Sequence, residues 1–184
     1  MYISISRAAG PAADDAETRA EVSRIHEFMR TMPGFRWAML LQSLETPGTL
    51  ATASMWLSPE QATAQDGVTL GEGKETRGFD VTTARGSMTP ATHIAVVEWQ
   101  VPSDLTDRFS NRWNAAYHRI EDRIGSRLLR DLATPGLYAG LHAVTDEANL
   151  NPEALGAAIT DENGLSVSST AVRRYEVVVL TEGQ

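Results

Sequence analysis

Short runs of alternating apolar and polar residues in this chain are separated by segments in which apolar residues recur at helical spacing. Residues 2–8 alternate, which predicts a half-buried strand. Residues 16–32 have apolar positions every three or four residues, which predicts a helix that Pro33 and Gly34 end. Residues 35–44 and 49–57 are typical of the two strands of a hairpin. A short helix capped by Ser58 and a strand over Arg77–Thr83 complete this half.

The second half of the chain predicts the same order of elements. Residues 91–101 form a strand, and a helix with a long apolar stripe begins at Pro102 and ends at Gly125. Residues 127–132 and 137–144 form a hairpin, residues 151–159 a second helix, and residues 172–180 a last strand. Both halves therefore follow the order strand, helix, strand, strand, helix, strand.

A similar nine-residue segment occurs in both halves, which explains why the two halves predict the same order of elements. LLQSLETPG begins at Leu40 and LLRDLATPG begins at Leu128, an offset of 88 residues with six of nine positions identical. We interpret the chain as a duplication with repeats over residues 1–88 and 91–184, joined by a short linker. A functional site is expected where the two repeats meet.

The order of elements predicts an α+β protein with two ferredoxin-like βαββαβ repeats. Helices on one face of each sheet leave the other face in need of a partner. We therefore expect the two sheets to pack face to face as a pseudo-dimer within one chain and to enclose a barrel-like core. The protein would be a monomer containing this pseudo-dimer, or a homodimer.

Composition narrows the function classes. The net charge is −8 and the pI about 5.0, so a nucleic-acid partner is not expected. The chain has no cysteine, no secretory signal pattern at its start and no apolar run long enough for a membrane span. We expect a cytoplasmic protein without a membrane partner. No metal-ligand spacing or cofactor motif is found, and the glycine-rich Gly71–Glu75 lacks the context of a phosphate loop.

Residues 33–64, PGFRWAMLLQSLETPGTLATASMWLSPEQATA, resemble the antibiotic biosynthesis monooxygenase family of the dimeric α/β-barrel superfamily. The shared pattern is Pro-Gly-Phe after the first helix, a hairpin, and an aromatic residue, Trp56, before Ser-x-Glu. Residues 128–146 resemble the family more weakly. The resemblance implies the barrel fold and a cofactor-independent oxygenase.

The resemblance also assigns positions within the first repeat. Polyketide-oxidising members have a Trp at the end of the third strand, an Asn four residues earlier and a Tyr six residues later. Trp56 matches the first, whereas Thr52 and Ala62 occupy the other two positions. Haem-degrading members use an Asn in the first strand and a His in the second helix, which this sequence lacks. Haem degradation is therefore the weaker interpretation.

Strand parity predicts which side chains could form a site. The mixed face of residues 49–57 contains Thr52, Ser54 and Trp56, and the offset of 88 places Tyr138 and His142 on the matching face. The opposite faces are plainly apolar, so we expect helices to cover those. The five mixed-face residues would then share one interior between the sheets.

Each candidate residue has a functional and a structural interpretation. His142 could act as a base on a phenolic proton, or be a hydrogen-bonded structural histidine. Trp56 and Tyr138 could bind an aromatic substrate together with Ser54 and Thr52, or could pack the core.

Four other groups are set aside. His26 and His118 are expected to be solvated, Glu98 could be a base but is more simply ion-paired, and Arg173-Arg174 could bind an anion but is favoured as surface charge.

The leading hypothesis is a cofactor-independent monooxygenase that acts on an aromatic or polyketide-like small molecule. The alternative is a non-catalytic small-molecule binding or stress-related barrel protein.

Overall fold

The computed structural model describes residues 1–9, 15–63, 75–117, 123–151, 159, 167 and 169–183 of the 184-residue chain. The strands are β1 (Tyr2–Ala9), β2 (Phe35–Ser43), β3 (Thr49–Trp56), β4 (Glu75–Gly86), β5 (His93–Gln100), β6 (Arg123–Asp131), β7 (Leu137–Val144) and β8 (Ser169–Glu182). The α-helices with described bounds are α1 (Ala16–Arg30), α2 (Pro59–Thr63) and α3 (Thr106–Tyr117).

The strands hydrogen-bond to one another in the closed order β1-β3-β2-β8-β5-β7-β6-β4. The described ladders are antiparallel. The predicted α+β class and the order β-α-β-β-α-β of the first repeat are confirmed. In the second repeat, the helix predicted over residues 151–159 lies mostly outside the described residues, although Ile159 is helical and buried.

The first compact unit comprises Met1–Asp80 and Tyr175–Gln184. In its sheet, β3 pairs with β1 and β2, β1 also pairs with the start of β4, and β2 also pairs with the end of β8. Asp15 is the N-cap of α1, and its carboxylate accepts a hydrogen bond from the Thr18 N–H at 2.8 Å. This bond satisfies one of the free N–H groups of the first helical turn.

The second compact unit comprises Val81–Arg174. In its sheet, β7 pairs with β5 and β6. A short 3-10 turn (Ser103–Leu105) leads into α3, which buries Phe109, Trp113 and Ala116 against the sheet. All eight residues of β7 are buried, so both faces of this strand are covered.

The compact units do not follow the predicted repeats, because β4 and β8 are each divided between the two units. The unit boundary falls after Asp80 in β4 and after Arg174 in β8. These strands have 12 and 14 residues, whereas β1 has 8, so one neighbouring strand cannot pair along their whole length. The repeat boundaries themselves stay a prediction.

Both Thr-Pro-Gly turns are built alike. Gly48 and Gly136 have φ angles of 75° and 76°, a conformation that favours glycine because it lacks a Cβ. In each turn, the residue after the glycine donates its N–H to the threonine carbonyl, at 3.1 Å for Thr49 and 3.2 Å for Leu137. The two predicted hairpins are confirmed.

The predicted end of the second-half helix at Gly125 is wrong. β6 begins at Arg123, so Ile124 and Gly125 lie in a strand, with a register shift between Arg123 and Gly125. A Cβ at Gly125 would collide with the backbone carbonyl of Ser87. The glycine therefore permits close approach of two backbone segments and does not cap a helix.

Candidate functional site

Trp56 lies on the face of its sheet that the helices cover. Its ring meets the Phe35 ring edge-on, with centroids 5.1 Å apart. The same cluster contains Met29 from α1 and Ala62 from α2. The Trp56 side chain is therefore enclosed between the sheet of the first unit and its two helices.

Ser54 and Thr52 lie on this same face, since alternate residues of a strand share one side. The indole N–H of Trp56 donates to Ser54 Oγ at 3.0 Å, which gives this buried polar group an acceptor. Ser54 is buried and Thr52 is half-buried. The three residues predicted to bind substrate in the first repeat are thus adjacent, and one hydrogen bond fixes the orientation of the indole.

Tyr138 and His142 are covered by the helix of the second unit. The Tyr138 ring lies 5.4 Å from the Phe109 ring, and the His142 ring lies 5.8 Å from the Trp113 ring, tilted by 36°. Phe109 also contacts Trp99 edge-on at 5.5 Å. α3 therefore closes an aromatic layer over β5 and β7.

The expectation that the mixed faces look away from the helices is wrong. In each unit the mixed face is the one under the helices, so the candidate residues do not share one interior. Trp56, Ser54 and Thr52 lie in the helix-covered layer of the first unit, and Tyr138 and His142 in that of the second. Tryptophan and tyrosine fill the space beneath a helix better than the alanines that alternate with them.

His142 is the central polar group of the second unit's layer. It is 4% exposed, and its Nδ1 shares a hydrogen bond of 2.8 Å with Ser126 Oγ. The two residues are directly paired across the β6–β7 ladder, so the register of the hairpin brings them together. This bond fixes the imidazole plane and places Nε2 on the other side of the ring, where it can serve as a proton acceptor when Nδ1 carries the hydrogen.

Gly140 provides the space that the imidazole occupies. A Cβ at this position would lie 2.5 Å from His142 Nε2 and 2.9 Å from the Trp99 ring. Nε2 of His142 therefore lies close to the Cα of Gly140, two positions earlier in the same strand. Only glycine allows this arrangement without displacement of the two rings.

Glu98 and Arg173 form an ion pair in the second unit. Glu98 lies opposite Ala139 in the β5–β7 ladder and is 6% exposed. Arg173 Nη1 donates to Glu98 Oε1 at 2.7 Å. The ion-paired interpretation of Glu98 is confirmed, whereas the expectation that Arg173 is surface charge is wrong, since a buried carboxylate requires a cation.

Sequence reasoning missed His26. This residue was expected to be solvated, but it is 3% exposed, and its Nδ1 lies 3.1 Å from Thr181 Oγ1 in β8. Burial lowers the pKa of His26 from 6.5 to about 4, with Glu27 acting weakly in the opposite direction. The signal was present, because Val22, His26 and Met29 follow the spacing of a buried helical stripe. Phe28, one of the apolar residues in the predicted helix, is instead 58% exposed.

The buried positions of α1 and α3 correspond to each other. Val22, His26 and Met29 have the same spacing as Phe109, Trp113 and Ala116. α1 therefore carries a histidine where α3 carries Trp113, while β3 carries Ser54 where β7 carries His142. Each unit has a buried imidazole between helix and sheet, on the helix in the first and on the strand in the second.

In the parts of the chain that the structure describes, no group of three or more histidine, aspartate or glutamate side chains is placed to hold a metal ion. No helix in those parts is both long and apolar enough to cross a membrane. His118 lies outside the described residues.

No protein-family model and no curated protein match this sequence. Solved structures do match its fold. A candidate monooxygenase from Fusobacterium nucleatum superposes with a TM-score of 0.75 at 9% identity, covering 98% of this chain and 94% of that one. An anthrone oxidase-like protein gives a TM-score of 0.61 at 8% identity, covering 98% and 93%.

A third similar structure is an uncharacterised ferredoxin-fold protein from Listeria monocytogenes that is related to antibiotic biosynthesis monooxygenases. It superposes with a TM-score of 0.57 at 10% identity, covering 95% of this chain and 94% of that one. Identities this low show the fold alone. The chain therefore has the fold of the ferredoxin-like proteins related to the antibiotic biosynthesis monooxygenases, as the sequence resemblance implied.

Proposed function

We propose that this protein is a cofactor-independent monooxygenase that acts on an aromatic or polyketide-like small molecule, with His142 as its base. The observation that carries the proposal is the hydrogen bond between His142 Nδ1 and Ser126 Oγ beneath the Trp113 ring. An imidazole held by a hydroxyl in an aromatic layer suits removal of a proton from a phenol or an activated CH2 group. The fold shared with an anthrone oxidase-like protein also supports this reaction class.

The chemistry requires only the substrate, dioxygen and a base. His142 removes one proton from the CH2 group, and the carbanion reduces dioxygen by forming a C–O bond. The imidazolium returns the proton to the peroxide, and loss of water leaves a ketone. One CH2 group and one O2 thus give one C=O group and one H2O. Burial of His142 means that a substrate meeting this ring is shielded from water by α3, which strengthens the attraction between the imidazolium and the carbanion and keeps water from reprotonating the carbanion.

Ser126 and Tyr138 have supporting roles in this proposal. Ser126 is a positioning residue, since its hydroxyl orients the imidazole through Nδ1. Tyr138 is held by the Phe109 ring and would bind a substrate oxygen through its hydroxyl. Trp56, Ser54 and Thr52 would form a second substrate-binding layer in the first unit, where the indole offers an aromatic surface.

Oxygen uptake with a panel of hydroxyanthrones and polyphenols, without added cofactor, tests this function. We expect turnover by the wild type and a loss of at least about 100-fold in kcat for His142→Gln. His93→Gln is the matched control, because His93 lies in the same unit and bonds only its neighbour Thr92 among the contacts described. Absence of uptake across the panel would overturn the function, and equal rates in His142→Gln would overturn the base.

A non-catalytic binding protein is the second candidate. It is favoured by the packing around His142, because Trp99, Phe109 and Trp113 are each fully buried and contact one another or the imidazole. Such a layer is also what a structural core requires. Mass spectrometry of molecules that copurify, with titrations by phenols and by haem, separates the two. Binding without oxygen uptake supports this candidate, and a haem titration without a Soret shift removes haem as the ligand.

A further inference from the structure

α1 is the element that covers Trp56 in the first unit. Met29 lies in the Trp56 cluster, and Ile25, one turn earlier, packs against it. Val22 packs in a neighbouring cluster with Leu40 and Leu50. These contacts are apolar, so their contribution to holding α1 on the sheet does not change with pH.

His26 is the exception in this interface. It lies between Val22 and Met29 on the buried side of α1, and its described hydrogen bond goes to Thr181 at 3.1 Å. Thr181 is paired with Ala38 in the β2–β8 ladder, and Ala38 belongs to the Trp56 cluster. The His26–Thr181 bond therefore links α1 to β8, the strand that pairs with β2 beside the Trp56 cluster.

Few charges face this imidazole. On α1, Glu27 is the neighbouring residue, and it is paired with Arg30 at 3.1 Å. On β2 and β8, the side chains on this face near Thr181 are Ala38, Leu40 and Val179, which carry no charge. Glu27 attracts a protonated His26, but this attraction is smaller than the penalty of burying the charge, so protonation opposes the closed position of α1.

We propose that α1 is an acid-released lid over Trp56. The hydrogen bond between neutral His26 and Thr181 holds it in the closed position. Protonation of His26 then releases α1 and opens the helix-covered layer that holds Trp56, Ser54 and Thr52. This device is independent of whether the protein is an oxygenase, since it concerns access to the layer and not the chemistry within it.

The size of the effect follows from the two protonation equilibria. His26 has a pKa of about 4 when covered, against 6.5 when it is released into water. Between about pH 7.5 and about pH 5, the equilibrium constant for opening should rise roughly 30-fold. The rise begins as the pH falls through 6.5 and levels off below 4.

Hydrogen exchange of the α1 amides, read by NMR or mass spectrometry and corrected for the intrinsic pH dependence, tests the lid. In the wild type we expect α1 protection to fall roughly 30-fold between about pH 7.5 and about pH 5, while α3 protection stays constant. His26→Leu should remove this change because leucine fills the site and cannot be protonated. His93→Leu is the matched control and should retain it.

Two further measurements test whether α1 opens over Trp56. Quenching of Trp56 fluorescence by a neutral quencher, taken as the difference between wild type and Trp56→Phe, should rise at low pH in step with α1 exchange. Thr181→Val should open α1 already at neutral pH while keeping a pH response. The proposal fails if α1 and α3 lose protection equally, if His26→Leu keeps the acid response, or if Trp56 stays inaccessible while α1 exchanges.

Discussion

Trp113 of α3 lies over His142 of β7, with the ring centroids 5.8 Å apart and the planes tilted by 36°. The helix of the second unit thus covers the imidazole that the sequence singled out. At the corresponding place in the first unit, His26 is on the helix and Ser54 is on the strand. Both units therefore have a buried imidazole between helix and sheet, but the first unit carries it on the helix and the second on the strand.

Gly140→Ala should destabilise the second unit by about 1–3 kcal/mol, because the added methyl group would lie 2.5 Å from His142 Nε2. Urea unfolding at neutral pH measures the loss. In a His142→Ala background the same change should cost clearly less, since the clashing ring is gone. An equal cost in both backgrounds would show that the imidazole does not occupy the space over Gly140.

Ser54→Ala should cost about 1–3 kcal/mol, because it removes the acceptor of the buried Trp56 N–H. In a Trp56→Phe background Ser54→Ala should leave the free energy of unfolding nearly unchanged, since the indole N–H that donates to Ser54 is gone. Thermal unfolding of the four proteins of this cycle gives the coupling energy. A coupling near zero would contradict the hydrogen bond.

The free energy of unfolding should fall as the pH drops from 6.5 to 4, by about 3 kcal/mol from His26 alone. His26 has a lower pKa when folded than when unfolded, so the unfolded chain takes up the proton first. The contribution is fully present above pH 6.5 and absent below 4. Carboxylates also titrate near this range, so the quantity to measure is the difference in urea unfolding between wild type and His26→Leu.

Arg173→Met should destabilise the second unit by about 2–4 kcal/mol, because the buried Glu98 carboxylate loses the cation at 2.7 Å. Replacement of both residues, as Glu98→Leu with Arg173→Met, should restore part of this loss, since an apolar pair needs no charge compensation. Arg24→Met, on the exposed side of α1, is the control and should leave urea unfolding almost unchanged. A double variant as unstable as Arg173→Met would argue against the ion pair as the cause.

Much of the local structure could be predicted because its causes are local. The Thr-Pro-Gly turns need glycine at Gly48 and Gly136, and the strands on either side follow the period of two. The start of β6 could not be predicted in the same way. Gly125 resembles a helix cap in the sequence, and only its contact with the Ser87 carbonyl, a residue 38 positions earlier, shows why glycine is there.

The grouping of the candidate residues on strand faces could be predicted, but their surroundings could not. His142, Tyr138, Trp56, Ser54 and Thr52 were grouped on matching strand faces, and in each unit the structure places them on one face. The hydrogen-bond partners of the two buried histidines were not predictable. Ser126 pairs with His142 because of the register of the β6–β7 hairpin, and Thr181 lies 155 positions along the chain from His26. Contacts between distant segments leave no periodic signal in a single sequence.

The sequence by itself determined the duplicated hairpin, the order of strands and helices, and which residues of each strand share a face. The tertiary structure alone decided which of those faces the helices cover. Alternation separates the two sides of a strand because successive side chains point in opposite directions, but it does not say what lies on either side. In β7 both sides are buried, so the pattern was compatible with either assignment, and the contacts of α3 with Tyr138 and His142 settled it.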